Sequence, residues 1–165
     1  MLSVVHCWRS PDGGPGGGGG IAMWRLHQNL LAAGVKSRIL CEAGATDSAA
    51  VALVPRWRRL DNLVHRLTRR LGLNDIHRVS SPLLARHPFY READVVHFHG
   101  LHTAFLSYLA LPGLTRHKPA VFTMHDLWAL TGHCAFSYDC ERWRTPDFSS
   151  RPSREHCSNP KDAPG

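Results

Sequence analysis

The chain has 165 residues, 43% of them apolar, and a formal net charge of +7. That length supports one domain with a sizeable core and excludes two large ones, and no apolar run reaches the ~18 residues that a membrane span needs. The positive charge points to anionic partners such as phosphates or acidic headgroups. Nucleic acid is not expected, because the basic cluster "RWRRLDNLVHRLTRR" (56–70) lacks the aromatic residues that stack on bases. Five cysteines accompany an N-terminus, "MLSVVHCWRS", that has neither a basic segment nor a small-residue cleavage site. Reduced thiols and a cytoplasmic location are the expectation.

In chain order, "LSVVHC" (2–7) is a short β-branched apolar run, the pattern of a strand buried on both faces. The glycine-rich stretch "SPDGGPGGGGG" (10–20) leads into "IAMWRLHQNLLAAG" (21–34), where Ile21, Trp24, Leu26, Leu30 and Leu31 recur near helical spacing and Gly34 stands as a C-terminal cap. "VKSRILC" (35–41) is a second strand. This succession is a βαβ unit and implies a parallel sheet. Residues 42–54 read as a loop. In 56–71, Trp57, Leu60, Leu63, Val64, Leu67 and Leu71 repeat at helical spacing with arginines on the other side. This describes either a surface helix with a solvated charged face or a helix resting on an anionic membrane. Residues 72–92, with Pro82 and Pro88, read as mostly irregular. "DVVHFH" (94–99) is a strand, "TAFLSYLALPGL" (103–114) a helix ending near Pro112, and "PAVFTMHD" (119–126) a further strand. Beyond residue 131 the chain turns polar, its last residues reading as a loop or tail. No internal repeat is present.

Three features carry chemistry. Glycines between a strand and a helix let an anion approach the unpaired N–H groups at the helix start. The pattern Gly14-x-Gly16-x-x-Gly19, with Glu42 closing the second strand, also matches a dinucleotide fingerprint, although so glycine-rich a run makes the match nearly automatic. The alternative to both is a plain linker; a P-loop is excluded because no Gly-Lys-Ser/Thr follows. His97, His99, His102 and His125 fall at or after the carboxyl ends of strands, where open α/β sheets bind ligands. His97 and His99 share one face of their strand, and histidines so buried are commonly satisfied core residues. His125, followed by Asp126, is a candidate to hydrogen-bond a polar ligand, and a general base if a substrate hydroxyl comes within reach. Cys134, Cys140 and Cys157, with His133 and His156 nearby, lack the paired C-x2-C spacing of a zinc site. Free thiols are expected there, with a zinc site or a disulfide as the alternatives.

Three blocks together resemble the N-terminal half of a family 4 glycosyltransferase of the GT-B type, in particular the bacterial exopolysaccharide (colanic-acid-like) group. They are "GGGGIAMWRLHQNLLAAGVKSRIL" (17–40), "ADVVHFHGLHTAFLSYLAL" (93–111) and "VFTMHDLWALTGHCAFSYDCERW" (121–143). The last is similar to the family's Thr-x-His-Asp-x-Trp-x-x-Thr-Gly-x-Cys-x-Tyr pattern. The resemblance implies a Rossmann-like parallel sheet with flanking helices over 1–133, a Cys-containing loop and tail over 134–165, and a cytoplasmic enzyme that could also lie at the inner membrane surface. It implies a retaining hexosyltransferase of polysaccharide biosynthesis with a nucleotide-sugar co-substrate, no other cofactor, no catalytic metal, and a glycan or lipid-linked acceptor. Gly17 and Gly18 match the glycines facing the donor diphosphate, His125 and Asp126 the pair at the cleft floor, and His99 a position near the acceptor.

Two departures accompany the likeness. The family's fourth cysteine, just before a proline, is missing from "HCSNP", and no second, nucleotide-binding domain with its glutamate pair follows. The chain is therefore expected to be an isolated or truncated half that does not transfer sugar alone. The competing readings are a dinucleotide-binding oxidoreductase domain, resting on the glycine fingerprint and Glu42, and a non-catalytic fragment or binding module.

Overall fold

β1 (Ser3–Trp8) is buried at all its positions, as expected of a strand with neighbours on both edges and cover on both faces. In the computed structural model, which describes residues 1–10, 17–44, 48–71, 73, 75–101, 105–131, 135 and 136, β1 is the centre of a five-stranded sheet. β2 (Lys36–Cys41) and β4 (Val95–His99) flank it, β3 (Val51–Leu53) and β5 (Ala120–Thr123) form the edges, and the order is β3-β2-β1-β4-β5. Every pairing is parallel. This is the Rossmann-like α/β sheet that the βαβ succession predicts. The chain forms two compact units, Met1–Thr123, which holds the sheet, and Met124–Gly165.

Alternation along the strands gives the sheet two unlike faces. One presents Val5, Cys7, Leu40, Val96 and Phe98 to a core completed by Leu84, Tyr90, Phe105, Leu106 and Leu114. The other presents Trp8, Ile39 and Cys41 to Met23, and also places His6, His97 and His99 in the interior.

α1 (Gly18–Ala32) starts inside the glycine run, and its buried positions are Gly19, Gly20, Met23 and His27. The apolar residues Ile21, Leu26 and Leu31 are instead exposed. Two of the four buried positions are glycines, which carry no side chain. Gly34, at φ +77°, ends the helix as expected. Its N–H donates to the Leu31 carbonyl at 3.0 Å and that of Val35 to Leu30 at 2.9 Å, the paired bonds of a Schellman motif.

Four expectations are corrected. Residues 42–54 include β3, whose three residues are too few to show a period. In 72–92, Pro82 and Pro88 each stand in the first turn of a short helix, a 3-10 turn over Ser81–Arg86 and α3 (Pro88–Glu92), because proline's missing N–H costs nothing there. For the same reason Pro112 opens α4 (Leu111–Thr115) rather than ending a longer helix. β5 stops at Thr123, short of the predicted residue 126.

α2 (Arg58–Arg70) forms where its period predicts, but its leucine stripe does not enter the core: Leu60, Leu63, Leu67 and Leu71, with Trp57, are exposed. The helix is held by a polar anchor. Asp61 is fully buried and accepts from the Ser80 N–H at 3.0 Å and the Ser80 hydroxyl at 2.5 Å.

His77 lies buried nearby, its ring centroid 4.3 Å from that of His65. Burial lowers its pKa from 6.5 to about 4, with the His65 and Arg78 charges adding to the shift and Asp61 opposing it. The unfolded chain then binds the proton more readily than the folded one, so this group's stabilisation is complete above pH 6.5 and is lost as pH falls through about 4. The expected cost is up to about 1.4 kcal/mol per pH unit. Urea-unfolding midpoints measured across that range should fall with acidification, and H77Q should flatten the slope; an unchanged slope would assign the acid sensitivity elsewhere.

Candidate functional site

Parallel strands bring their carboxyl ends to one edge of the sheet, where ligands of such folds bind. β1 and β4 are in register there, with His6 opposite His97 and Cys7 opposite Phe98. His99, two residues beyond His97, falls on the same face. His6 Nδ1 lies 3.1 Å from His99 Nε2, and the His97 and His99 ring centroids are 3.9 Å apart. His97 Nε2 meets Thr123 Oγ1 at 2.7 Å. Across the same face, His27 Nδ1 meets Ser37 Oγ at 2.7 Å and ties α1 to β2. Burial, aided by the charges that His97 and His27 would carry, pushes His6 down to about 3, so its imidazole is neutral at physiological pH. The expectation that His97 and His99 share a face holds. His6 went unnoticed in the sequence, although its signal was there: two strands that pair in this topology each carry a histidine after an apolar β-branched pair.

Gly17, at φ +58°, immediately precedes α1. A Cβ at Gly17 or Gly18 would meet no described atom within 4 Å. The first turn contains no acidic residue, and no side chain caps it. Its N–H groups and the positive end of the helix dipole therefore suit an anion. Gly14, Gly16 and His102 lie outside the described residues.

Glu42 is engaged elsewhere. Its Oε1 accepts from Arg78 at 2.9 Å, and its Oε2 is 3.8 Å from the guanidinium of Arg56, a buried side chain that also donates to the Phe105 carbonyl. The acid of the fingerprint is thus a partner for two arginines, one of them desolvated, and not a free ribose acceptor.

In the second unit, His125 sits in a bend, half-buried. Burial lowers its pKa, while the Asp126 carboxylate acts against the shift. Asp126 Oδ1 accepts from the Trp128 N–H at 3.0 Å at the start of α5 (Trp128–Thr131), and the Leu127 N–H donates to the Ala135 carbonyl at 2.9 Å. This pattern holds the loop after His125 in shape. Cys134, Cys140, Cys157, His133 and His156 lie outside the described residues.

With this geometry in view, comparison with known proteins is informative. The family model described as Glycosyltransferase Family 4 matches residues 16–155. A curated relative, the "Putative colanic acid biosynthesis glycosyl transferase WcaC" of Escherichia coli (strain K12), is 29% identical over 143 residues. The match takes in 79% of this chain and 35% of the relative, so the chain spans about a third of that protein's length. No solved structure matches.

The turn after His99 packs against Trp8. Gly100 has φ +66°, and a Cβ there would lie 2.3 Å from the Trp8 ring. Trp8 is buried, 3% exposed. G100A should therefore destabilise the protein by about 2–4 kcal/mol, combining overpacking with a left-handed backbone. Denaturant unfolding measures this, and a loss under ~0.5 kcal/mol would contradict the packing described.

Proposed function

This chain belongs to glycosyltransferase family 4, and from that premise we propose that it is the acceptor-side, GT-B-type half of a retaining hexosyltransferase of exopolysaccharide assembly. The donor is a nucleoside-diphosphate sugar and the acceptor a glycan or lipid-linked saccharide. The observation that carries this reading is the family match, which runs through the glycine loop, the histidine-bearing strand and the His-Asp-x-Trp block together. In the proposed roles, the open N–H groups beginning with Gly17 and Gly18 take the donor diphosphate, where negative charge grows as the sugar leaves. His125 hydrogen-bonds the donor sugar or holds the acceptor hydroxyl, Asp126 keeps its loop in shape, and His99 supports the acceptor side. Transfer needs no metal in this reading, because helix dipole and basic groups supply the electrostatics. The oxidoreductase reading is disfavoured by Glu42, which two arginines already hold.

Transfer is tested in a host that lacks the gene, by following labelled sugar from a nucleotide-sugar pool into the polysaccharide fraction. Wild type should restore incorporation when a nucleotide-binding half is supplied with it and not alone, and H125A should lower it by roughly 100-fold or more at unchanged protein level. Full incorporation with H125A would remove that residue from the site. Failure of wild type to restore it with both halves present would remove the function.

A second element of the proposal concerns location. Among the described residues no helix is long and apolar enough to cross a membrane. α2, however, exposes a stripe of leucines bordered by Arg58, Arg59, Arg66 and Arg70, the composition of a helix that lies in an anionic interface. We place the protein at the cytoplasmic membrane surface, near lipid-linked acceptors. It should co-sediment with phosphatidylglycerol vesicles, less so in high salt, and not with purely zwitterionic ones. L63E/L67E should abolish binding; retention by that variant would refute the role of α2.

A further inference from the structure

The histidines inside the sheet form a cluster of which the transfer proposed above uses only His99. One ring nitrogen from each of His6, His97 and His99 can be chosen so that all three lie within 4.8 Å of one another. The side chains are 0%, 8% and 2% exposed, and Nε2 of His6 has no hydrogen-bond partner among the described residues. We infer that His6, His97 and His99 are the protein ligands of one divalent transition-metal ion of the zinc class, bound between β1 and β4.

The argument is geometric first. Zinc–imidazole bonds of about 2.0–2.1 Å place two nitrogens on a tetrahedral ion roughly 3.3–3.4 Å apart. The 3.1 Å separation of His6 Nδ1 and His99 Nε2 is already close to that distance, and one nitrogen of the third ring lies within 4.8 Å of the chosen nitrogens of the other two. Backbone position is supplied by the sheet itself, since His6 and His97 are register partners and His99 follows on the same face.

The donor set decides the class of ion. Three imidazoles, with no carboxylate or thiolate in the cluster, suit zinc, copper or nickel rather than magnesium or calcium. Thr123 Oγ1, 2.7 Å from His97 Nε2, orients that ring as outer-shell groups orient ligating histidines. A water or hydroxide completes four-coordination. The ion pins the central strand to its neighbour, and since His99 is shared with the proposed acceptor side, the test reads metal binding rather than transfer.

The test uses the full 165-residue chain, reduced, stripped with a chelator and refolded with cobalt chloride. One equivalent of Co2+ should give the visible absorption of a four-coordinate ion without thiolate-to-metal charge transfer. Zinc chloride should displace it and raise the thermal midpoint. T123V should weaken Co2+ binding by about 10-fold, as loss of an outer-shell partner does, while H6Q and H99Q weaken it by more than about 100-fold. Absence of an imidazole-only spectrum from the folded wild type overturns the inference. So does a charge-transfer spectrum lost in C134S/C140S/C157S, which assigns binding to the cysteines. Should H6Q or H99Q fail to fold, the wild-type spectrum and T123V still decide.

Discussion

The parallel register of β1 against β4 is the constraint on which the rest of this structure depends. β1 is buried throughout, so its alternate side chains must satisfy two interiors at once. On one face that demand is met with apolar packing around Val5, Cys7, Val96 and Phe98. On the other it is met with imidazoles that partner one another and nearby hydroxyls. A one-residue slip would exchange these faces and place histidines in the apolar core. The polar cluster thus specifies the register as well as occupying space.

The same sheet fixes where chemistry is available. Its carboxyl edge gathers the start of α1, the end of β4 and the Gly100 turn packed on Trp8. Each is set by backbone geometry more than by side-chain identity. Gly17 and Gly100 are needed because their φ values are positive, and Gly100 also because the indole leaves no room for a methyl group. Helix starts of this kind carry unpaired N–H groups and the positive end of a dipole.

α2 shows why a helical period alone does not reveal which face is buried. Its leucines repeat correctly, yet the residue that reaches the interior is Asp61, satisfied by Ser80. A buried carboxylate with good partners anchors the helix and leaves the apolar stripe outside beside arginines.

Local pattern was enough for the βαβ succession, the parallel sheet, α2 and the Schellman cap at Gly34, because each rests on side-chain period or on glycine's backbone freedom. The same holds for the shared face of His97 and His99, which follows from the two-residue repeat of a strand. Tertiary structure alone decided the rest. β3 is recognisable only by its pairing with β2, and the face that α1 buries begins at Gly19 and Gly20 rather than at its apolar residues. Glu42 is bound to Arg56 and Arg78, which stand 14 and 36 residues away in sequence. The meeting of His6 with His97 and His99 spans more than 90 residues. No local signal encodes such a contact, since it follows from which strands become neighbours.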